Sequence, residues 1–330
     1  MTDRGARPGR PDDPGEPLAI DAVMTAMLTW SYDCPPDRIG ALYESAKLSQ
    51  WNASTDIDWS IEVPFGEPLP DTSAAAWRTY QGSPLAGRGK PAFDAFRWAV
   101  QGWMACQFLH GEQAALVASA RLVEVLPDLQ AKLFASSQAG DEARHTDAFA
   151  RYVREHVPGP YPISPALREL FQDGLRAKEW DLTALAVQCV AEPIALAAFR
   201  VAETTFHDDL IKQIAAKIAR DEARHVSYGV LLLRDVLPQL SASEFARREE
   251  LVLEAAALMC RRFLLGEIWE RFDVPAAAGS AFAAADPGLA AFRRVLFSRV
   301  ILMLGQVGLL TSRVRDGLGA LGLLDRARRP

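Results

Sequence analysis

Apolar residues recur at three- and four-residue intervals through most of the chain, and alternating strand patterns are nearly absent. The spacing predicts a helix over about 38–51, a loop rich in Asp, Pro and Gly over 52–69, and at most weak helix over 71–89. A long helix follows from about Pro91, suited to a first helical turn, to Leu126. Pro127 and Asp128 mark a tight connection into a helix ending near His156, stopped by the Pro-Gly-Pro of 158–160. Ser164 and Pro165 start a short helix. Another long helix spans about Glu179 to Phe206, His207-Asp208-Asp209 turns the chain, and the next helix ends near Leu237. Ser241 and Glu244 form a start signal for one long helix reaching Asp273. After the Ala/Gly-rich stretch 275–286, a last pair is expected over 287–310 and 312–326. The pattern is all-α: a single helical domain over 19–330 behind a tail at 1–18, with its central bundle over about 91–237.

Composition narrows the function classes. The net charge is −6, with no local run of Lys and Arg to form a nucleic-acid footprint. Arg326, Arg328 and Arg329 read as a solvated tail. The four cysteines, Cys34, Cys106, Cys189 and Cys260, form no CxxC pair, which argues against a zinc ribbon or disulfide framework and for a reducing, cytoplasmic setting. Residues 1–18 are rich in Pro, Gly, Arg and Asp, as in a disordered tail, and lack the apolar core of a signal peptide. The apolar segment Val295–Leu310 is interrupted by Ser298, Arg299 and Gln306 and is too short to span a bilayer, so no membrane partner is expected.

The chemistry lies in a repeat. Asp141-Glu142-Ala143-Arg144-His145 recurs unchanged as Asp221-Glu222-Ala223-Arg224-His225. Glu112 precedes Glu142 by 30 residues, and Glu192 precedes Glu222 by the same 30. The midpoints fall on Pro127 and His207, the two predicted turns. Antiparallel helices joined there set each Glu opposite its partner, roughly 22 Å from the hairpin tip. In Glu-x-x-His, positions i and i+3 share a helix face. Two facing hairpins therefore supply four carboxylates and two imidazoles, the ligand set of a carboxylate-bridged pair of metal ions in a helical bundle. Hard oxygen donors with one imidazole per ion suit iron or manganese, and burying four carboxylates without cations would be very costly.

Beyond the six candidate ligands, Asp141 and Asp221 are placed to accept the free ring N–H of a ligand histidine across the pair, with Arg144 and Arg224 pairing to those aspartates. Ala115, Leu116, Phe149, Ala195, Leu196 and Phe199 lie within one or two turns of the ligands and are the candidate substrate-pocket residues. Cys189 sits one turn before Glu192. Pro193 directly follows it and should disturb the helix there.

On these residues the sequence resembles the ferritin-like di-iron oxygenase superfamily over about residues 95–235, which implies a four-helix di-iron bundle with additional helices. A radical-bearing Tyr would stand at Phe149 and a hydroxylase-type Thr at Leu196; neither is present. Chain length, the duplicated motif and the stretch from Leu42-Tyr43 to Asp58-Trp59 are most similar to stand-alone N-oxygenases resembling aminobenzoate N-oxygenase. Some of those carry a third His at the position of Ile218; here the set is four carboxylates and two histidines, and the matching first-half position is Gln138. The resemblance implies O2-dependent oxygenation of a small organic substrate, an amine, hydroxylamine or hydrazine of secondary metabolism, at two iron ions (with Mn/Fe as the alternative). It implies a homodimer. Without a GxGxxG turn or Cys cluster, the electron donor is external, a reductase or ferredoxin. The competing readings are C–H hydroxylation or desaturation, and a ferroxidase or peroxide-scavenging role.

Overall fold

The computed structural model describes residues 26–29 and 37–324. The expected tail at 1–18, Cys34 and the Arg326–Arg329 cluster lie outside the described residues. Among those described there is no strand. The helices are α1 (Arg38–Leu48), α2 (Ala74–Gln81), α3 (Gly89–Val125), α4 (Leu129–His156), α5 (Pro165–Arg176), α6 (Trp180–Ala184), α7 (Glu192–Thr205), α8 (Asp209–Arg234), α9 (Ala242–Arg262), α10 (Gly266–Arg271), α11 (Ala276–Ala285), α12 (Pro287–Gln306) and α13 (Ser312–Ala320).

Two antiparallel hairpins, α3–α4 and α7–α8, form the central bundle. Each is closed by the same device. Asp128 caps α4 by accepting the Ala131 N–H (2.8 Å), and Asp208 caps α8 by accepting the Ile211 N–H (2.9 Å). These carboxylates satisfy amides that have no partner within the helix. The α7–α8 tip reaches back to α3, where Gln101 accepts the His207 N–H (2.6 Å). Helix α1 lies across α4 and α8, and α12 packs on α7.

Between α6 and α7 the chain winds as a π-helix over Leu185–Ala191, where the Glu192 N–H bonds the Val187 carbonyl five residues back. Pro193 explains it. Proline has no N–H to give, and its ring clashes with the carbonyl four residues earlier, so the turn widens just before Glu192. The whole stretch Trp180–Thr205 is long and apolar enough to cross a membrane, but 89% of its most apolar window is buried inside the bundle. Its start is tied to α9 by a buried two-pronged pair, Arg248 Nε and a terminal nitrogen to Asp181 at 2.8 and 2.9 Å.

The C-terminal third departs from the periodic expectation. The helix foreseen over 241–273 breaks at Leu265, which adopts φ 61°. That conformation is strained for a non-glycine residue. The break swings α10 inward, burying Ile268 and Trp269, with Trp269 against Phe96 and Phe282. The Ala/Gly-rich 275–286 stretch is helical, because Gly279 lets α11 press on the Trp269 indole: a Cβ there would stand 2.1 Å from a ring carbon. The weak 71–89 region contains α2.

Candidate metal centre

The four bundle helices bring the six candidate ligands to one level in the buried core. Glu112 comes from α3, Glu142 and His145 from α4, Glu192 from α7 directly after the π turn, and Glu222 and His225 from α8. Two overlapping clusters result, each with its donor atoms within 4.8 Å of one another: Glu112, Glu142, His145 and Glu222, and Glu142, Glu192, Glu222 and His225. Glu142 and Glu222 belong to both. Glu142 reaches His145 Nδ1 with one oxygen (3.2 Å) and His225 Nδ1 with the other (3.1 Å).

The imidazoles are held from behind and across the pair. His145 Nε2 lies 3.1 Å from Asp221, and His225 Nε2 lies 3.1 Å from Asp141. Arg144 pairs with Asp141 and stands 3.7 Å from Asp221; Arg224 stands 2.5 Å from Asp221 and 3.4 Å from Asp141. With Nε2–H given to an aspartate, each neutral ring turns its Nδ1 lone pair toward carboxylate oxygens. His145 Nδ1 has oxygens of Glu112, Glu142 and Glu222 at 2.9, 3.2 and 3.3 Å. A single N–H could serve only one of these, and Glu222 Oε1 is buried with no hydrogen-bond partner. Lone pairs converging on one point fit a cation between them.

Electrostatics agree. Burial, reinforced by the charges of Glu222 and Glu142, pushes the Glu112 and Glu192 carboxyls well above their ordinary range. Burial opposes the ionised form of Glu142 and Glu222 as well, but the facing histidines, above all the His225 charge, outweigh it and lower both. For His145 and His225 burial favours the neutral ring, yet the surrounding acceptors raise both well above the usual value. Alone, the cluster must share protons to exist. Two divalent cations would let all four carboxylates ionise.

A small chamber of about 40 Å³ opens beside Glu112 and Glu192 and is walled by Ala115, Ala195, Met104 and Phe108. Of the six pocket residues expected from sequence, Ala115 and Ala195 line it. Phe149 and Phe199 instead stack in the core with Phe108. Leu196 faces a separate cavity with Leu42 and Met303, and Leu116 lines none of these spaces. Cys189 is buried, its thiol pushed up by that burial, and is not a chamber residue.

Sequence reasoning named Gln138 only as the counterpart of Ile218 and passed over several other neighbours of the centre. Gln138 donates to Glu192 (2.9 Å) and Glu142 (3.2 Å), and Gln188 donates to Gln138 (2.9 Å). Each glutamine stands one turn before a candidate ligand Glu, a spacing that could have flagged the pair. Trp51 donates its indole N–H to Asp221 (2.7 Å), stacked on His145, and Gln50 contacts Asp141 and Arg144. Nothing in the repeat points to that segment. Arg262, on the chamber wall, belongs to no motif.

A helical bundle gathering four carboxylates and two imidazoles defines a ferritin-like di-metal oxidoreductase. The family profile described as P-aminobenzoate N-oxygenase AurF matches residues 118–308, more than half of the sequence, and the chain belongs to that family. Among solved structures, two single-residue mutants of an R2-like ligand-binding oxidase with anaerobically reconstituted Mn/Fe cofactor share the fold. One superimposes with a TM-score of 0.51 at 16% identity, covering 82% of this chain and 93% of the other. The second gives 0.50 at 16% identity over 84% and 94%. No curated protein matches the sequence.

Proposed function

We propose that this protein oxygenates the nitrogen of a small amine, hydroxylamine or hydrazine, using two metal ions held by Glu112, Glu142, His145, Glu192, Glu222 and His225. The observation that carries the reading is the double cluster sharing Glu142 and Glu222, found in a member of an N-oxygenase family. Two reduced ions held by these residues would supply O2 activation, with one oxygen atom delivered to the substrate and the other released as water at the expense of two electrons from an external reductase or ferredoxin and two protons from solvent. Iron in both positions is the first choice, and Mn/Fe, the cofactor named for the structural neighbours, is the second.

The chain's own residues do the remaining work. Asp141 and Asp221 hold the Nε2 protons, which fixes the tautomer and aims both Nδ1 atoms inward. Arg144 and Arg224 pair with those aspartates and hold them in place. Ala115 and Ala195 leave room beside Glu112 and Glu192, while Met104 and Phe108 keep that room apolar and restrict water.

Ile218 favours a second reading. Buried and apolar, it stands where some N-oxygenases of this kind carry a third histidine, and it leaves a ligand set equally suited to oxidising carbon. Product analysis under ¹⁸O2 with arylamines, alkylamines and hydrazines separates the two. A product gaining one labelled oxygen on nitrogen is expected; labelled C–OH products alone would overturn the N-oxygenation reading.

A further inference from the structure

The inner chamber does not end at its own walls. Met104, Ala198 and Phe263 also line a second cavity of about 480 Å³. That volume is in the range of pockets for drug-sized ligands. It runs outward between α3 and α7 toward the α7–α8 tip, and α2, α10, α11 and α12 roof it. Along α3, Met104 lies roughly 12 Å from Glu112, and Phe93, at the far end, roughly 28 Å. The space is therefore long as well as large.

Its walls are aromatic: Tyr80, Phe93, Phe96, Phe206, Trp269 and Phe282. The few polar side chains on them are committed elsewhere. Gln101 bonds Tyr152, Asp208 and the His207 N–H. Thr79 bonds Asp286, and Arg97 bonds the Pro70 carbonyl while lying over Phe93. Tyr80, Ser83, Thr205 and Trp269 likewise bond backbone carbonyls, and apart from His207 and Arg97 toward the α7–α8 tip the walls are apolar, so the body of whatever fills the cavity is apolar. At the boundary the situation reverses. Arg262 lines the inner chamber with its guanidinium over Trp103 and Phe263, and its buried Nε has no acceptor. A buried guanidinium N–H without a partner is costly. A ligand passing from one cavity to the other could supply the missing acceptor.

We propose that the two cavities form one substrate site. The substrate is an extended amphipathic amine: its reacting nitrogen sits beside Glu112 and Glu192, an acceptor oxygen faces Arg262, and an alkyl or arylalkyl body passes Met104 to fill the outer cavity. Met104, unbranched and adaptable, is the door between the chambers. This rests on the N-oxygenation reading for the identity of the reacting end only.

The test is calorimetric binding of N-(2-aminoethyl)alkanamides with acyl chains of six, eight, ten and twelve carbons, to the full chain as purified and after metal loading. Affinity should rise about fourfold per methylene until the cavity is full, as apolar burial dictates. Ala198→Trp, at the junction, and Ala75→Trp, at an exposed position on the roof helix α2, should each flatten the length dependence while helix content and iron content stay unchanged. Arg262→Met should weaken every member by about tenfold, the loss of one charged hydrogen bond. Affinity independent of chain length, or a length dependence surviving both tryptophan variants, would overturn the proposal. Short arylamines oxidised with no chain-length effect would sink the extended substrate and spare N-oxygenation. Length-dependent binding without oxidation of any amine would do the reverse.

Discussion

The two hairpins carry the same five-residue motif, yet they are bedded differently. In the first, Glu112 stands on an uninterrupted α3 and lies 2.9 Å from His145 Nδ1. In the second, Glu192 follows a π turn, lies 3.7 Å from His225 Nδ1, and takes its hydrogen bond from Gln138 of the other half. Ile218, the counterpart of Gln138, donates nothing. Outside, Trp51 serves Asp221, whereas Gln50 serves Asp141. Duplication sets the donor atoms, and the unduplicated surroundings make the two donor clusters inequivalent.

The largest effects should come from the shared carboxylates. Glu142→Ala or Glu222→Ala removes a donor from both clusters, and metal analysis should find loss of both ions with activity. Glu112→Ala or Glu192→Ala should cost one ion each. Equal losses from all four variants would break the distinction between shared and private ligands.

The next effect concerns the bedding of the second hairpin. Asp181→Ala leaves the Arg248 charge buried and unpaired, and should cost about 3–5 kcal/mol in denaturant unfolding. The first hairpin has no corresponding anchor among the described residues. A loss below about 1 kcal/mol would show that the π-turn segment is held by its apolar packing alone.

Smaller changes follow behind the histidines. Asp141→Asn and Asp221→Asn should each weaken metal affinity about 10–100-fold, measured by competition with a chelator. Gln138→Ile makes the halves alike at that position, and should narrow the difference between the two metal dissociation constants. An unchanged difference would place the asymmetry in the π turn instead.

The narrowest effect, confined to acid pH, is on stability at the α7–α8 tip. Burial, helped by the nearby Arg97 charge, lowers the His207 pKa to about 4. The native state thus favours the neutral ring, so this contribution to stability is complete above the unfolded value near 6.5 and fades as pH falls toward about 4. His207→Phe, which keeps an aromatic edge against Trp98, should flatten the unfolding curve in that window.

Much of this was legible in sequence because it is periodic. The hairpins, their turns at Pro127-Asp128 and His207-Asp208-Asp209 and the gathering of the six candidate ligands follow from a 30-residue offset applied twice, and the crossed Asp–His pairing from the Asp that precedes each motif Glu; the Asp caps of those turns are seen only in the structure. The disturbance expected at Pro193 is present, although its form as a widened turn needed coordinates. What stayed hidden is non-periodic. The break at Leu265 depends on where Trp269 finds its slot, and the helicity of 276–285 depends on Gly279 meeting that same ring. Two pocket candidates fall elsewhere for a similar reason, while Ala115 and Ala195 do line the chamber: helix-face arithmetic brings Phe149 and Phe199 near the ligands, but an aromatic stack with Phe108 absorbs both. The Trp51–Asp221 bond joins positions 170 residues apart, and no local pattern encodes it.

The most direct test of the central claim is metal content after anaerobic loading with Fe(II) and removal of loose metal, compared between the native chain and Glu142→Ala at matched helix content. The account predicts about two irons per native chain and almost none in the variant. Sub-stoichiometric iron in the native protein, or equal iron in both, would contradict it.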